Sequence, residues 1–421
     1  MFQYLFLLKY WIIFELLNWF KYLLVYIKII TPKYLEIKKY DSIKIIERLD
    51  YLSKYELECV LSGCIVYDKH LHKTIDTTEL DISQLSNMEI NNLIGYSLFA
   101  MDDYKSNQKQ QNIIKFVIKK IEKILDYKFQ DNNNNRYLYR RWGNNFIEFS
   151  FRPLFIDITF KLTAVVIHIF LIFYKRLKYE NINKIGFFYS NFDENKKTLF
   201  FIHGFGFGFV PYLHTLLKLN KKYNLIFIVL PNISSYNYYN NLEYINHNIK
   251  DTIYNFIKSK KQKDIILLSH SFGTYITEIL RRDSRINIFS KIIMVDPIIF
   301  WIGCFKMSIK MDFPIVRNNN YKNYLFDTIL NFLIYKCLYM KYTCYRIMFG
   351  PDFWIYDPAD LENKNNISLV LEKGDHIIPA ELLYNKTKDH IKCHYFDNDN
   401  IIHGSILMES KYYNDLLNII E

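Results

Sequence analysis

From about Lys196 onward, short runs rich in β-branched and aromatic residues alternate with helical stretches, and this alternation limits the possible folds more than any other feature of the chain. The runs are Leu199–Ile202, Leu225–Leu230, Ile265–Leu268, Lys291–Val295 and Ile367–Leu371, with helical spacing between them, as in Leu242–Ile257. Strand and helix repeated in this way predict an α/β architecture, a mostly parallel sheet covered by helices on both faces. Ligands of such sheets bind beyond the carboxyl ends of the strands. Chemistry is therefore expected just past each run.

Those positions hold distinctive strings. HGFGFG (His203–Gly208) follows the first run, SHSFG (Ser269–Gly273) the third and GDHIIP (Gly374–Pro379) the fifth, while IIHG (Ile401–Gly404) follows Ile391–Phe396. Ser271 sits between a strand and a helix expected over Thr274–Arg282, a strand, sharp turn, helix context that presents a hydroxyl as nucleophile. Small residues are needed two positions either side, because the two backbones approach there, and Ser269 and Gly273 meet that need. A serine hydroxyl is a poor nucleophile at neutral pH without a positioned imidazole. His403 is the candidate base and Asp375 the carboxylate that orients it. Asp296, ending the run Lys291–Val295, competes for the acid's place; the Gly-Asp context and the chain order Ser, Asp, His favour Asp375. Taken singly, these residues have plainer readings, such as a serine capping a helix or a surface histidine in a polar loop. Their order along the chain argues against those readings.

Over roughly residues 196–415, about half of the chain, these strings resemble the α/β-hydrolase superfamily. The resemblance implies an α/β-hydrolase fold and a Ser271, His403, Asp375 triad that works through an acyl-enzyme. It also implies that the backbone N–H groups of Phe205 and Phe272 receive the developing oxyanion, and that His203 is structural. Ser269 departs from the family pattern by replacing the usual first glycine. His270, His376 and His390 are less well placed for catalysis. No cofactor and no metal are expected, since HExxH spacing, a P-loop and a dinucleotide fingerprint are all lacking.

The long aromatic stretch 297–366 resembles the cap insertion that such enzymes place over their sites, and it favours a lipophilic ester or other acyl substrate. Two other readings stay open: a catalytically inactive α/β-hydrolase-fold membrane scaffold or binding protein, and an acyltransferase using the same triad.

The amino-terminal half divides into an apolar helix over 1–30 and a helical region over 31–195 that includes a second apolar helix, 154–174, ahead of the hydrolase domain at 196–421. Lys9, Glu15, Lys21 and Lys28 interrupt the first helix, so no uncharged run reaches the ~20 residues a bilayer span needs. Gln3, Glu15, Asn18, Lys21 and Lys28 share one side of a helical wheel, which suggests an amphipathic helix at a membrane surface. In the second, Asp157, Lys161, His168 and Lys175 form one narrow stripe. That helix could lie on a membrane, pack on the first or cross the bilayer. The basic flank Lys175, Arg176 and Lys178 places the hydrolase domain on the cytoplasmic side.

The formal net charge of +11 suits anionic lipid headgroups. Scattered lysines and the lack of a recognition motif argue against nucleic acid. The six cysteines show no framework spacing and are expected to be reduced thiols.

Overall fold

The computed structural model describes residues 2–30, 49–68, 73–74, 81–99, 107–131, 136–139, 151–231, 233–234, 244–283, 288–300 and 366–421, with Ile46, Cys337, Leu338, Met340, Thr343 and Leu361. The expected cap insertion, 297–366, lies almost wholly outside the described residues.

The chain opens with α1 (Phe2–Ile30). A small unit follows, in which α2 (Lys54–Gly63), α3 (Asn87–Phe99) and α4 (Gln108–Leu125) enclose Leu57, Ile90, Leu93, Ile114 and Ile121. The spacing of three between Ile90 and Leu93 and of seven between Ile114 and Ile121 buries one helical stripe of each helix. Beside them lies an antiparallel sheet, β1 (Ile65–Asp68), β2 (Lys73–Thr74) and β3 (Tyr137–Tyr139), in the order β2-β1-β3. The region is thus mixed rather than purely helical. Lys386 of the hydrolase region ties this unit down, reaching Glu56 at 2.8 Å and the Tyr51 carbonyl at 3.0 Å.

After α5 (Leu154–Ile169), which runs on through a π-helical turn to Tyr174, the main sheet begins. Its strands are β4 (Lys178–Ile182), β5 (Ile185–Tyr189), β6 (Thr198–Ile202), β7 (Asn224–Val229), β8 (Ile265–His270), β9 (Phe289–Val295), β10 (Ile367–Glu372) and β11 (Lys392–Phe396). They lie in the order β11-β10-β9-β8-β6-β7-β5-β4. The six from β6 to β11 are mutually parallel, whereas β4 and β5 form an antiparallel hairpin added at the β7 edge. The sheet therefore takes in two strands ahead of residue 196, the expected start of the hydrolase domain.

Alternate residues of β6 show how the sheet is covered. Phe200 and Ile202 enter one core with Ile253, Phe256 and Ile276, whereas Leu199 and Phe201 enter the other with Leu216, Leu219 and Leu416. The first core is roofed by α7 (Tyr244–Ser259) and α8 (Phe272–Arg281), and the second by α6 (Leu213–Leu219) and, later, the carboxy-terminal helix Tyr413–Ile420. Burial on both faces is why these strands read as continuous apolar runs.

Candidate active site

Ser271 directly follows β8, at φ 51° and ψ −119°. A non-glycine residue held there costs on the order of 1–3 kcal/mol and persists only where its surroundings fix it. They do so from two sides. The Ser271 N–H donates to the Val295 carbonyl at 3.0 Å, and its carbonyl accepts from the Thr274 N–H at 2.9 Å. Gly273 makes the bend possible, because a Cβ there would stand 2.4 Å from the Ile202 carbonyl oxygen at the end of β6.

The Gly-rich loop after β6 lies on this bend. A Cβ on Gly204 would be 3.0 Å from that of Ser271, and the rings of Phe205 and Phe272 pack at 4.5 Å. Phe272 is the first residue of α8, so its N–H has no carbonyl to bond within the helix. Among the described residues, the Phe205 N–H has no acceptor either. His203 is fully buried and bridges two backbone groups, with Nδ1 on the Gly204 carbonyl at 2.7 Å and Nε2 accepting from the Leu230 N–H at 3.1 Å. Burial holds its pKa down to about 4, so the ring is neutral and shapes the loop.

His403 Nδ1 donates to Asp375 Oδ2 at 2.6 Å. Asp375 Oδ1 accepts the Ile377 and Ile378 N–H groups at 2.6 and 3.1 Å, which fixes the carboxylate's plane. Burial would lift Asp375, but His403 and those two N–H groups hold it below the usual carboxylate value. Burial likewise works against a charged His403, yet Asp375, with Asp296 and Glu372 behind it, raises the imidazole to about 9.

Asp296, the competing acid, stands 3.7 Å from His403 Nδ1. Its Oδ2 instead takes the Gly404 N–H at 2.7 Å. Ser271 and His403 lie at the same end of the sheet, where the rings of His270 and His403 are 4.7 Å apart. Among the described residues, the Ser271 hydroxyl makes no hydrogen bond to the His403 ring.

Two participants were not singled out from sequence. Glu372, the last residue of β10, accepts the Ser405 and Ile406 N–H groups at 3.1 and 2.6 Å and so fixes the turn carrying His403. Burial and the adjoining Asp296 push its carboxyl up to about 10, and burial with Asp375 likewise pushes Asp296 up. Glu372 has the strand parity of Val370, which faces the second core, and that parity was the available signal. Tyr212 is the other: its hydroxyl is hydrogen-bonded to His270 Nδ1 at 2.8 Å. Burial and the neighbouring His403 charge keep His270 well below 6.5.

The donor atoms of His270, Asp296 and His403 lie within 4.8 Å of one another, a spacing that could hold a cation. His403 Nδ1 and Asp296 Oδ2 are, however, already engaged by Asp375 and by Gly404.

No protein-family model and no curated protein matches the chain. Among solved structures, the chain is similar to a membrane phospholipase A described as a bacterial virulence factor (12% identity, TM-score 0.44, covering 63% of this chain and 93% of that one). It is also similar to naproxen esterase from Bacillus subtilis (12%, 0.44, 62% and 97%) and to a lipase-esterase related protein from Clostridium acetobutylicum (16%, 0.41, 56% and 100%). These likenesses concern the course of the backbone, and the assignment rests on strand order, the antiparallel edge and the bend at Ser271. The chain has the α/β-hydrolase fold.

Proposed function

We propose that this protein is a serine hydrolase that cleaves an ester or related acyl bond of a lipophilic substrate at a membrane surface. Ser271 Oγ attacks the acyl carbonyl carbon while His403 Nε2 takes the hydroxyl proton. The imidazolium that forms is stabilised by Asp375, and the oxyanion by the N–H groups of Phe205 and Phe272. As the tetrahedral intermediate collapses, the bond to the leaving group breaks and His403 returns the proton to it. Water then attacks the acyl-Ser271 ester with His403 again as base, releasing the acid.

The observation that carries this reading is the 2.6 Å bond between His403 and Asp375, made beside a serine held in a strained bend. Unpartnered N–H groups at Phe205 and Phe272 support it, because one such donor contributes ~3–4 kcal/mol of transition-state stabilisation. The apolar surfaces of α1 and α5 support a lipophilic substrate, and the basic residues after α5 a cytoplasmic domain.

Labelling with a fluorophosphonate probe tests the reading. The natural chain should be labelled and Ser271→Ala should not. Label that persists in the variant removes Ser271 from the role, and no label in either leaves the scaffold reading.

A further inference from the structure

Surface helices of soluble proteins turn their apolar stripe inward and their polar stripe to water. Along α1 that arrangement is reversed, and along α5 the outward side is as apolar as the inward one. Along α1 the inward positions are Glu15, Asn18, Tyr22 and Tyr26, spaced as one helical stripe, while Trp11, Phe14, Leu16, Leu17, Trp19 and Phe20 face outward. Along α5 the inward stripe includes Asp157 and His168, while Leu162, Val166 and Phe173 face outward at 61%, 64% and 77% exposure.

The polar stripes satisfy each other. Both Glu15 carboxylate oxygens accept the Leu154 N–H at 3.0 Å, placing a negative charge at the amino end of α5, where the helix dipole favours it. Asn18 donates to the Arg152 carbonyl at 3.2 Å, and the Tyr22 hydroxyl donates to Asp157, which also pairs with Arg152 at 3.6 Å. Polar groups joined between helices whose outer surfaces are apolar suit hydrocarbon surroundings, not water. A contiguous exposed apolar area of this extent marks an interaction face.

The inner side of α5 decides between crossing the bilayer and lying in it. Phe160 packs on Phe207 of the Gly-rich loop at 5.8 Å, and His168 packs on Tyr179 and Phe188 of the β4–β5 hairpin at 5.1 and 4.9 Å. Ala164 and Ile167 share a small cavity, ≈ 40 Å³, with Phe209, Val210 and Val229. A bilayer-crossing α5 would carry β4, with Lys178, Glu180 and Asn181, into the hydrocarbon. Its 21 residues, Leu154–Tyr174, are long and apolar enough on average to span, but the sheet edge attached to them is not apolar. Lys175, with its ammonium over the rings of Phe170 and Tyr174, and Arg176 and Lys178 beyond it match anionic headgroups at that end. Lys9 and Lys21 are exposed and have stems long enough to reach the same level.

We propose that α1 and α5 form a single monotopic membrane insert that docks the protein on one anionic leaflet, beside the loop His203–Gly208. Lipid substrate then reaches Ser271 sideways from that leaflet. Access by this route rests on the hydrolase reading above; the docking does not.

The full chain should co-sediment with phosphatidylserine–phosphatidylcholine vesicles, and Leu162→Glu with Val166→Glu should weaken that binding at least about 30-fold, since carboxylates are costly in hydrocarbon. Near-UV circular dichroism confirms that the variant is folded without reference to activity. With chain added to preformed vesicles, an impermeant amine reagent should modify both Lys9 and Lys21 before detergent is added. Unaltered binding by the folded variant, or no binding by the natural chain, overturns the proposal. Protection of either lysine until detergent is added overturns the monotopic placement. A dimer that the same substitutions dissociate, without vesicle binding, would show that a second copy covers the face and also overturns it. A catalytic failure with vesicle binding intact would instead strike only the hydrolase reading.

Discussion

Asp296 Oδ2 accepts the Gly404 N–H at 2.7 Å, so the carboxylate at the end of β9 holds the residue next to His403 rather than the imidazole itself. Asp375, one strand further on, holds the ring at 2.6 Å. The two acids divide the work: one secures the loop, the other the tautomer and charge of the His403 ring.

Their removal should therefore differ in cost. Asp375→Asn should lower kcat/KM for a soluble ester by about 10³–10⁴-fold, the scale seen when a triad acid is lost. Asp296→Asn should cost on the order of tenfold, because Asn retains an acceptor for Gly404. Steady-state turnover of the two variants checks this, and the reverse order would exchange the roles of the two acids.

The pH dependence follows from the same bond. A base must be neutral to accept the Ser271 proton. Since Asp375 raises His403 to about 9, kcat/KM should climb with pH through that value. In Asp375→Asn the limb should move down by more than one pH unit, towards 6.5. A limb already at 6.5 in the natural chain would contradict the assignment.

Glu372 gives a stability signature. Its folded value, about 10, lies above the 4.5 of an unperturbed Glu, so between those values the folded state holds a proton that the unfolded chain has lost. Stability then falls as pH rises across this window. Glu372→Gln has no such proton. Thermal melts should show its stability relative to the natural chain improving steadily from about pH 5 to about pH 9. A pH-independent difference would exclude the raised value.

Gly273→Ala tests the close approach beneath the bend. The new Cβ would meet the Ile202 carbonyl oxygen at 2.4 Å and its carbon at 2.9 Å, and backbone cannot swing aside as a side chain does. A loss of about 1–3 kcal/mol is expected in denaturant unfolding, with activity falling further as Ser271 shifts. An unchanged midpoint would mean that strand and helix part more easily than their packing implies.

The parallel strands and the sites at their ends were legible because these strands are buried on both faces and read as apolar runs, three of which, β6, β8 and β10, lead into glycine-containing strings. The β4–β5 hairpin was not. Its two-residue turn, Asn183–Lys184, has φ of 50° and 67°, a conformation that Asn-Gly would have announced and Asn-Lys does not. The strands β1, β2 and β3 hold four, two and three residues, too few for a period to register. The stripe of Glu15 and Asn18 was visible as a stripe, but periodicity says only that a helix has two unlike sides. Which side faces the protein depended on partners beginning at Arg152, far along the chain.

That separation bears on biosynthesis. Glu15 closes the amino end of a helix that starts 139 positions later. When the first helix emerges from the ribosome, the groups that will bond Glu15, Asn18 and Tyr22 have not been translated, so its polar stripe is as uncovered as its aromatic side. Throughout that interval it must be sheltered by lipid or a chaperone. Slowing elongation ahead of codon 152 should therefore increase aggregation of the nascent chain.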